Sequence, residues 1–261
     1  NMFRTCTSFN GIVNNWDIST VTDISGIFRQ ANIFNRPLDN WTTNSITDMS
    51  SVFEGAALFN EPLDSWNTAS VTTMESMFAG AQNFNQNIEN WVVTNVTNMS
   101  RNFASTGCFN HALNNCDVSN VTTMAGMFSS SAFNQPLDQW IVDEVTDMSS
   151  MFSNSPFNQP LQTWNVDNVT DMSYMFSGTS FNQFIEIWNV GNVTDMSGMF
   201  QNNRSVNQPL NAWDVSNVTN MNSMFRGSGA FPTIFNQPLD QWDVSSVEDM
   251  GSMFEVAEFN Q

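Results

Sequence analysis

The sequence predicts a repeat solenoid, mainly β with short helical turns, wound in about ten coils of 24–25 residues. Three observations carry that expectation. A Phe-Asn pair recurs at Phe9, Phe34, Phe59, Phe84, Phe109, Phe133, Phe157, Phe181, Phe235 and Phe259, with Val206-Asn207 in the one unit that lacks the Phe. The stretch Phe133–Phe152, reading FNQPLDQWIVDEVTDMSSMF, is rewritten in every unit with few changes. Apolar residues take the same places each time, so a unit has one face to bury and only its neighbours to bury it against.

The elements follow in order along a unit. A Leu column opens it, as in Leu137, Leu161, Ile185 and Leu210. The Trp column comes next, with Trp140, Trp164, Trp188 and Trp213 as members and Cys116 as its one exception. Trp213 and Val215 alternate as a short strand should, and Val218-Thr219 reads as a second. Asp, Asn or Thr then fills one place in every unit, from Asp23 and Asp48 through Thr73 and Asn98 to Asp249. All three residue types suit a helix N-cap, and the following Ser-x-Met-Phe has helical spacing for about one turn. The Gln-Pro dipeptide marks the turn toward the next pair.

The Asn of the pair is more constant than its Phe and persists as Asn207 where Val206 replaces the ring. An apolar contact tolerates exchange; an amide that ties down backbone groups does not. The expected role is a buried Asn ladder running from coil to coil. The chain is read as one array over 1–261, part of a longer repeat region. It opens inside a unit at Asn1-Met2-Phe3 and stops at the start of another, with no polar unit covering either apolar end.

Composition excludes some partners. The chain has 25 acidic and 6 basic residues and a net charge of -19. Nucleic acid and anionic membranes need clustered cations, which are absent. No apolar run is long enough to span a bilayer, so no membrane insertion is expected. Three cysteines, Cys6, Cys108 and Cys116, have no metal-ligand spacing. Cys116 reads either as a buried free thiol or as half of a bridge to Cys108.

The unit FNQPLDxWDVSNVTDMSxMF resembles the repeats of BspA-like surface proteins, also described as a Mycoplasma lipoprotein-type repeat of unknown function. Within it, Leu210-Asn211-Ala212-Trp213-Asp214-Val215 resembles the LxxLxL of leucine-rich repeats with Trp at the centre. The resemblance covers essentially the whole chain. It implies a right-handed leucine-rich-repeat-like parallel solenoid and an adhesive or scaffold role at the cell surface, and it brings no catalytic residues.

The sequence itself offers no catalytic constellation: His111 is the sole His, and no nucleophile–base pair or phosphate loop is present, so the chain is read as no enzyme. Three outward columns are the candidate sites. The first is the Thr row, including Thr146, Thr170 and Thr194, whose regular hydroxyls suggest ice or crystal binding as an alternative. The second is the capping column, where the consecutive Asp147, Asp171 and Asp195 are candidate calcium ligands; calcium is the one cofactor considered. The third, the position after Trp, is a candidate binding face: Asp17, Asn67, Asp117, Asn165, Asn189, Asp214 and Asp243. The expected partners are a protein or glycan ligand, or copies of the chain end to end. The sequons at Asn95, Asn98, Asn120, Asn168, Asn192, Asn203 and Asn217 fit an extracellular setting, although most come with the repeat. The insertion at residues 226–235 interrupts the period and marks a loop edge where binding could reside.

Overall fold

The computed structural model describes residues 2–229 and 232–261. The expectations that touch Asn1, and those for Ala230 and Phe231 in the insertion, lie outside the described residues.

Successive units stack, each laying its columns on those of the next, and the backbone hydrogen bonds show how. The unit that contains Met148 is representative. Within it, Met151, Ser153 and Ser155 donate N–H to the carbonyls of Met148, Ser150 and Phe152, three residues back. These are consecutive tight turns. The alternate N–H groups leave the unit altogether. Met148, Ser150, Phe152 and Asn154 donate to Asp171, Ser173, Met175 and Ser177 of the following coil, at 2.7–3.0 Å. The same four donors recur in coil after coil and form four columns of backbone hydrogen bonds along the stack. A fifth column runs the other way, as Thr170 N–H donates to Thr146 O and Thr194 N–H to Thr170 O.

Such a path needs left-handed residues at fixed places. Ser150, Asn154, Tyr174 and Asn202 have φ of 55–56°, and Gly178 and Gly198 have 66° and 58°. An L-residue in that region costs roughly 1–2 kcal/mol, which the inter-coil bonds it enables must offset. Glycine is required where a neighbour leans in. A Cβ on Gly198 would come within 2.3 Å of the Tyr174 ring, and one on Gly178 would meet the Asn154 amide.

This backbone corrects the expected fold class. Among the described residues there is no helix, and β pairing is confined to isolated parallel bridges such as Asp147↔Asp171 and Asp171↔Asp195. The chain does not form a mainly β, right-handed leucine-rich-repeat-like solenoid with short helical turns. The expected helical turn at Ser-x-Met-Phe fails because a left-handed residue interrupts it and half of its N–H groups go to the next coil instead of four residues back. The expected strands fail because Trp213 N–H and Val218 N–H close turns onto Leu210 O and Val215 O. The repeat itself stands; its coils are made of turns.

The core lies inside the stack. Phe152 and Phe157 stack within one coil at 3.8 Å between ring centroids, and Phe152 stacks on Phe176 of the next at 5.8 Å. The same two Phe columns run through neighbouring coils, for example Phe28 on Phe53 at 5.8 Å and Phe59 on Phe84 at 6.2 Å. Each such aromatic pair is worth about 0.5–1.5 kcal/mol beyond the area it buries. The indoles are tied in as well as packed. Trp164 Nε1 donates to Leu137 O of the preceding coil at 2.9 Å, and Trp140 Nε1 to Leu113 O at 2.8 Å. Trp thus fills the core and satisfies a carbonyl that the turns leave half-used.

The Asn ladder forms. Asn158 N–H donates to Asn134 Oδ1 at 2.9 Å, and Asn182 N–H to Asn158 Oδ1 at 3.0 Å. A Gln follows several of these Asn residues and reinforces the ladder: Gln183 Nε2 donates to both Asn158 O and Asn158 Oδ1. His111, in a Gln position, keeps the contact, with Nε2 at 2.9 Å from Asn85 O. The ladder is not buried as expected: most of its Asn residues are half-buried, and Asn35, Asn85, Asn110 and Asn260 are exposed.

Candidate binding faces

The position after Trp is exposed throughout the candidate set Asp17, Asn67, Asp117, Asn165, Asn189, Asp214 and Asp243. Its side chains are not idle. Each Oδ1 accepts the N–H two residues on: Asp17 from Ser19, Asn67 from Ala69, Asp117 from Ser119, Asn165 from Asp167, Asn189 from Gly191, Asp214 from Ser216 and Asp243 from Ser245. These are Asx turns. Where a Ser hydroxyl bonds the same carboxylate, the ionised form gains. Asp17, Asp117, Asp214 and Asp243 are held below the usual carboxylate value of 3.8, first by that hydroxyl and then by the backbone N–H. The column therefore shapes the loop as well as facing solvent. Val92 and Ile141 occupy it without an amide or acid and leave their own side chains exposed.

Asp147, Asp171 and Asp195 lie in successive coils, joined by the parallel bridges. Their Oδ1 atoms accept the N–H of Ser149, Ser173 and Ser197 at 2.9, 2.8 and 2.7 Å. Thr73 and Thr123 stand in the same column and direct Oγ1 toward the equivalent N–H at 3.4 Å. The residues that would have capped a helix close an Asx turn instead. Asn220 Nδ2 bonds Asp195 Oδ2 at 3.0 Å, so that carboxylate is engaged through both oxygens. Among the described residues, no group of three or more His, Cys, Asp or Glu side chains is placed to hold a metal ion.

The Thr hydroxyls are also committed. Thr146, Thr170 and Thr194 donate Oγ1–H to the backbone carbonyls of Thr122, Thr146 and Thr170, each at 3.2 Å. The row offers acceptor lone pairs to solvent, its donors being spent along the stack.

Sequon side chains divide sharply. Asn120, Asn168, Asn192 and Asn217 are exposed and donate Nδ2 to a carbonyl of the preceding coil at 2.7 Å. Asn203 is wholly buried and is bonded at both ends, to Phe181 O, Thr179 Oγ1 and the N–H groups of Ser205 and Val206. Asn203 repairs the coil in which Val206 replaces Phe. Nothing in the repeat pattern marks it, since it falls in a loop that differs from the others.

The sequence reading missed a groove of about 370 Å³ around Arg101, floored by small residues including Ala104, Gly126, Ser129 and Ser150. The Arg101 stem lies on Gly126, where an added Cβ would meet its Cγ at 3.3 Å. The signal available was the placement of an Arg where the other described coils have Ser or Gly, Tyr174 excepted.

No helix is long and apolar enough to cross a membrane among the described residues. A family described as "Mycoplasma protein of unknown function, DUF285" matches residues 1–115, 86–183 and 153–261, which together span the chain. No curated protein and no solved structure matches the chain.

Proposed function

We propose, for a chain that belongs to the family of Mycoplasma proteins of unknown function DUF285, a non-enzymatic role as a surface-displayed adhesive or scaffold array. One observation carries the reading. The recurrent polar residues of the motif are spent on the stack itself: Asn and Gln on the ladder, Thr on carbonyls, Asp on turns. What remains for a partner is the set of side chains that vary between coils, displayed at a regular pitch on a rigid support. That arrangement suits broad contact with a protein or a glycan, or with further copies of the chain, better than it suits a catalytic centre.

The likeness of the unit to the repeats of BspA-like surface proteins supports display outside the cell, and so does the acidic, Lys-free composition. The 261 residues act as a single array in this reading. The test is a binding screen of the folded chain against immobilised glycans, extracellular matrix proteins and the chain itself. Saturable binding to one class that weakens when Val92 and Ile141 are changed to Asn supports adhesion through the face after Trp. Absence of binding to all three classes refutes the adhesive role.

A further inference from the structure

The Trp column is broken once, at Cys116, between Trp91 and Trp140. The neighbouring apolar column is broken beside it, where Asn102 stands between Met77 and Met127. Both departures line one cavity of about 20 Å³ inside the stack. Met74, Met99 and Met127 also line it and are 1%, 3% and 1% exposed. Asn102 is 2% exposed, and its Oδ1 has no hydrogen-bond partner. From Trp41 onward the other indoles of the column each bond a carbonyl of the coil before; Cys116 supplies no such donor.

A cavity of this size takes a guest no larger than a single ion or water, for which about 10–15 Å³ suffices. Its lining is otherwise aliphatic and aromatic, so the donor-bearing residues are Cys116, Met74, Met99, Met127 and Asn102. Thiolate and thioether donors select soft ions, Cu(I) foremost. We propose that this cavity is a binding site for one soft monovalent cation, Cu(I) or its analogue Ag(I), anchored on the Cys116 sulfur with the lining Met thioethers as further donors.

The charge balance is favourable. Binding breaks the Cys116 S–H bond, forms a sulfur–metal bond and releases one proton to solvent, so the buried pair stays neutral and avoids the cost of an isolated charge. Binding is linked to proton release, because the thiol must lose its proton to bond the ion. Entry is provided for. Cys116 is partly exposed and also lines a surface groove of about 280 Å³ with Asn115, Asp117 and Gln139. The carboxylate at that mouth favours a cation.

The experiment uses the full chain with the exposed thiols Cys6 and Cys108 changed to Ser. Silver(I) is titrated by calorimetry in two buffers of different ionisation enthalpy, and Cu(I) is titrated against a colorimetric chelator. The expected result is a single tight equivalent with release of a proton. Cys116→Trp, which restores the repeat residue and fills the cavity, should abolish binding while circular dichroism shows the fold retained. Met74→Leu, Met99→Leu or Met127→Leu should weaken binding about tenfold or more, the scale on which supporting groups act at metal sites. Equal binding by Cys116→Trp overturns the proposal. So does unchanged affinity in all three Leu variants, which would mark an ordinary surface thiol, and so does no uptake at all, which would leave the cavity to water.

Discussion

Asn158 is the place to test the ladder, because its bonds are shared between three coils. Its Oδ1 accepts Asn182 N–H at 3.0 Å and Gln183 Nε2 at 3.0 Å, while its own N–H goes to Asn134 Oδ1. Asn158→Ala keeps the last bond and removes the acceptor for the other two. Gln183 retains Asn158 O at 3.1 Å, so the net loss is one backbone bond and part of a side-chain bond. At about 0.5–1.5 kcal/mol for each bond, and with a half-buried N–H left unmet, the cost is roughly 1–2 kcal/mol. Asn158→Asp offers the same acceptor and should cost less, since no Nδ2 bond of Asn158 enters the ladder. Urea denaturation followed by Trp fluorescence gives the energies, and amide hydrogen exchange at Asn182 gives the location. Faster exchange at Asn182 in the Ala variant, with near-normal protection in the Asp variant, is the expected pair of results. Full protection of Asn182 in Asn158→Ala would refute the reasoning, because its N–H would then not depend on the side chain below it.

The remaining predictions are more local. Gly198→Ala should cost about 2 kcal/mol, from left-handed strain and from pushing the Tyr174 ring aside; in a Tyr174→Ser background it should cost about half as much, and equal costs in the two would remove the clash from the account. Trp164→Phe should lose about 1–2 kcal/mol, for the bond to Leu137 O and the smaller ring, measured as a shift in the urea midpoint. Asp17, Asp117, Asp214 and Asp243 have depressed values in the folded chain, so the stability they contribute is present above the unfolded value of 3.8 and is lost as pH falls below it. Changing all four to Asn, which keeps the turn as Asn165 does, should flatten the acid limb of thermal melts taken between neutral pH and about pH 2. A limb of unchanged steepness would assign acid unfolding to other carboxylates. For Cys116 the sign is opposite for a neutral-form acid: its raised value favours the folded chain until pH climbs from 9.0 toward about 11, so Cys116→Ser should lessen the alkaline loss of stability.

Inward columns were legible because burial leaves a compositional mark. Trp164, Phe152 and Val169 are buried where the pattern placed them. The path of the backbone between them was not legible. Asp171-Met172-Ser173 carries the same local signal for a helix cap as for an Asx turn, since in both the carboxylate accepts a nearby N–H. What decides between them is where Met172 and Tyr174 send their own N–H groups, and that is to Asp195 and Ser197 in another coil. Left-handed positions were equally hidden. Gly198 hints at one, but Tyr174 and Arg101 occupy the same column at φ of 56° and give no such hint. Among the outward faces, exposure of the position after Trp was readable, whereas its use in turn closure depended on geometry. Asn102 and Cys116 were separately odd in the sequence, and only the stack brings them to one cavity.

The direction of the four hydrogen-bond columns gives the stack an electrical polarity. In coil after coil four peptide groups aim N–H toward the C-terminal coils and C=O toward the N-terminal ones, while the N–H groups of the Thr column and of the Asn ladder oppose them with two. A peptide carries about 3.5 D, so the excess of two amounts to about 7 D for each coil. These contributions are collinear and add along the array, and each hydrogen-bonded group polarises the next in its column. A molecule assembled from turns, with no helix among the described residues, thus has a macrodipole of the kind associated with helices, lengthening with every coil added. Two such arrays lying side by side are attracted when they run in opposite directions and repelled when they run in the same one.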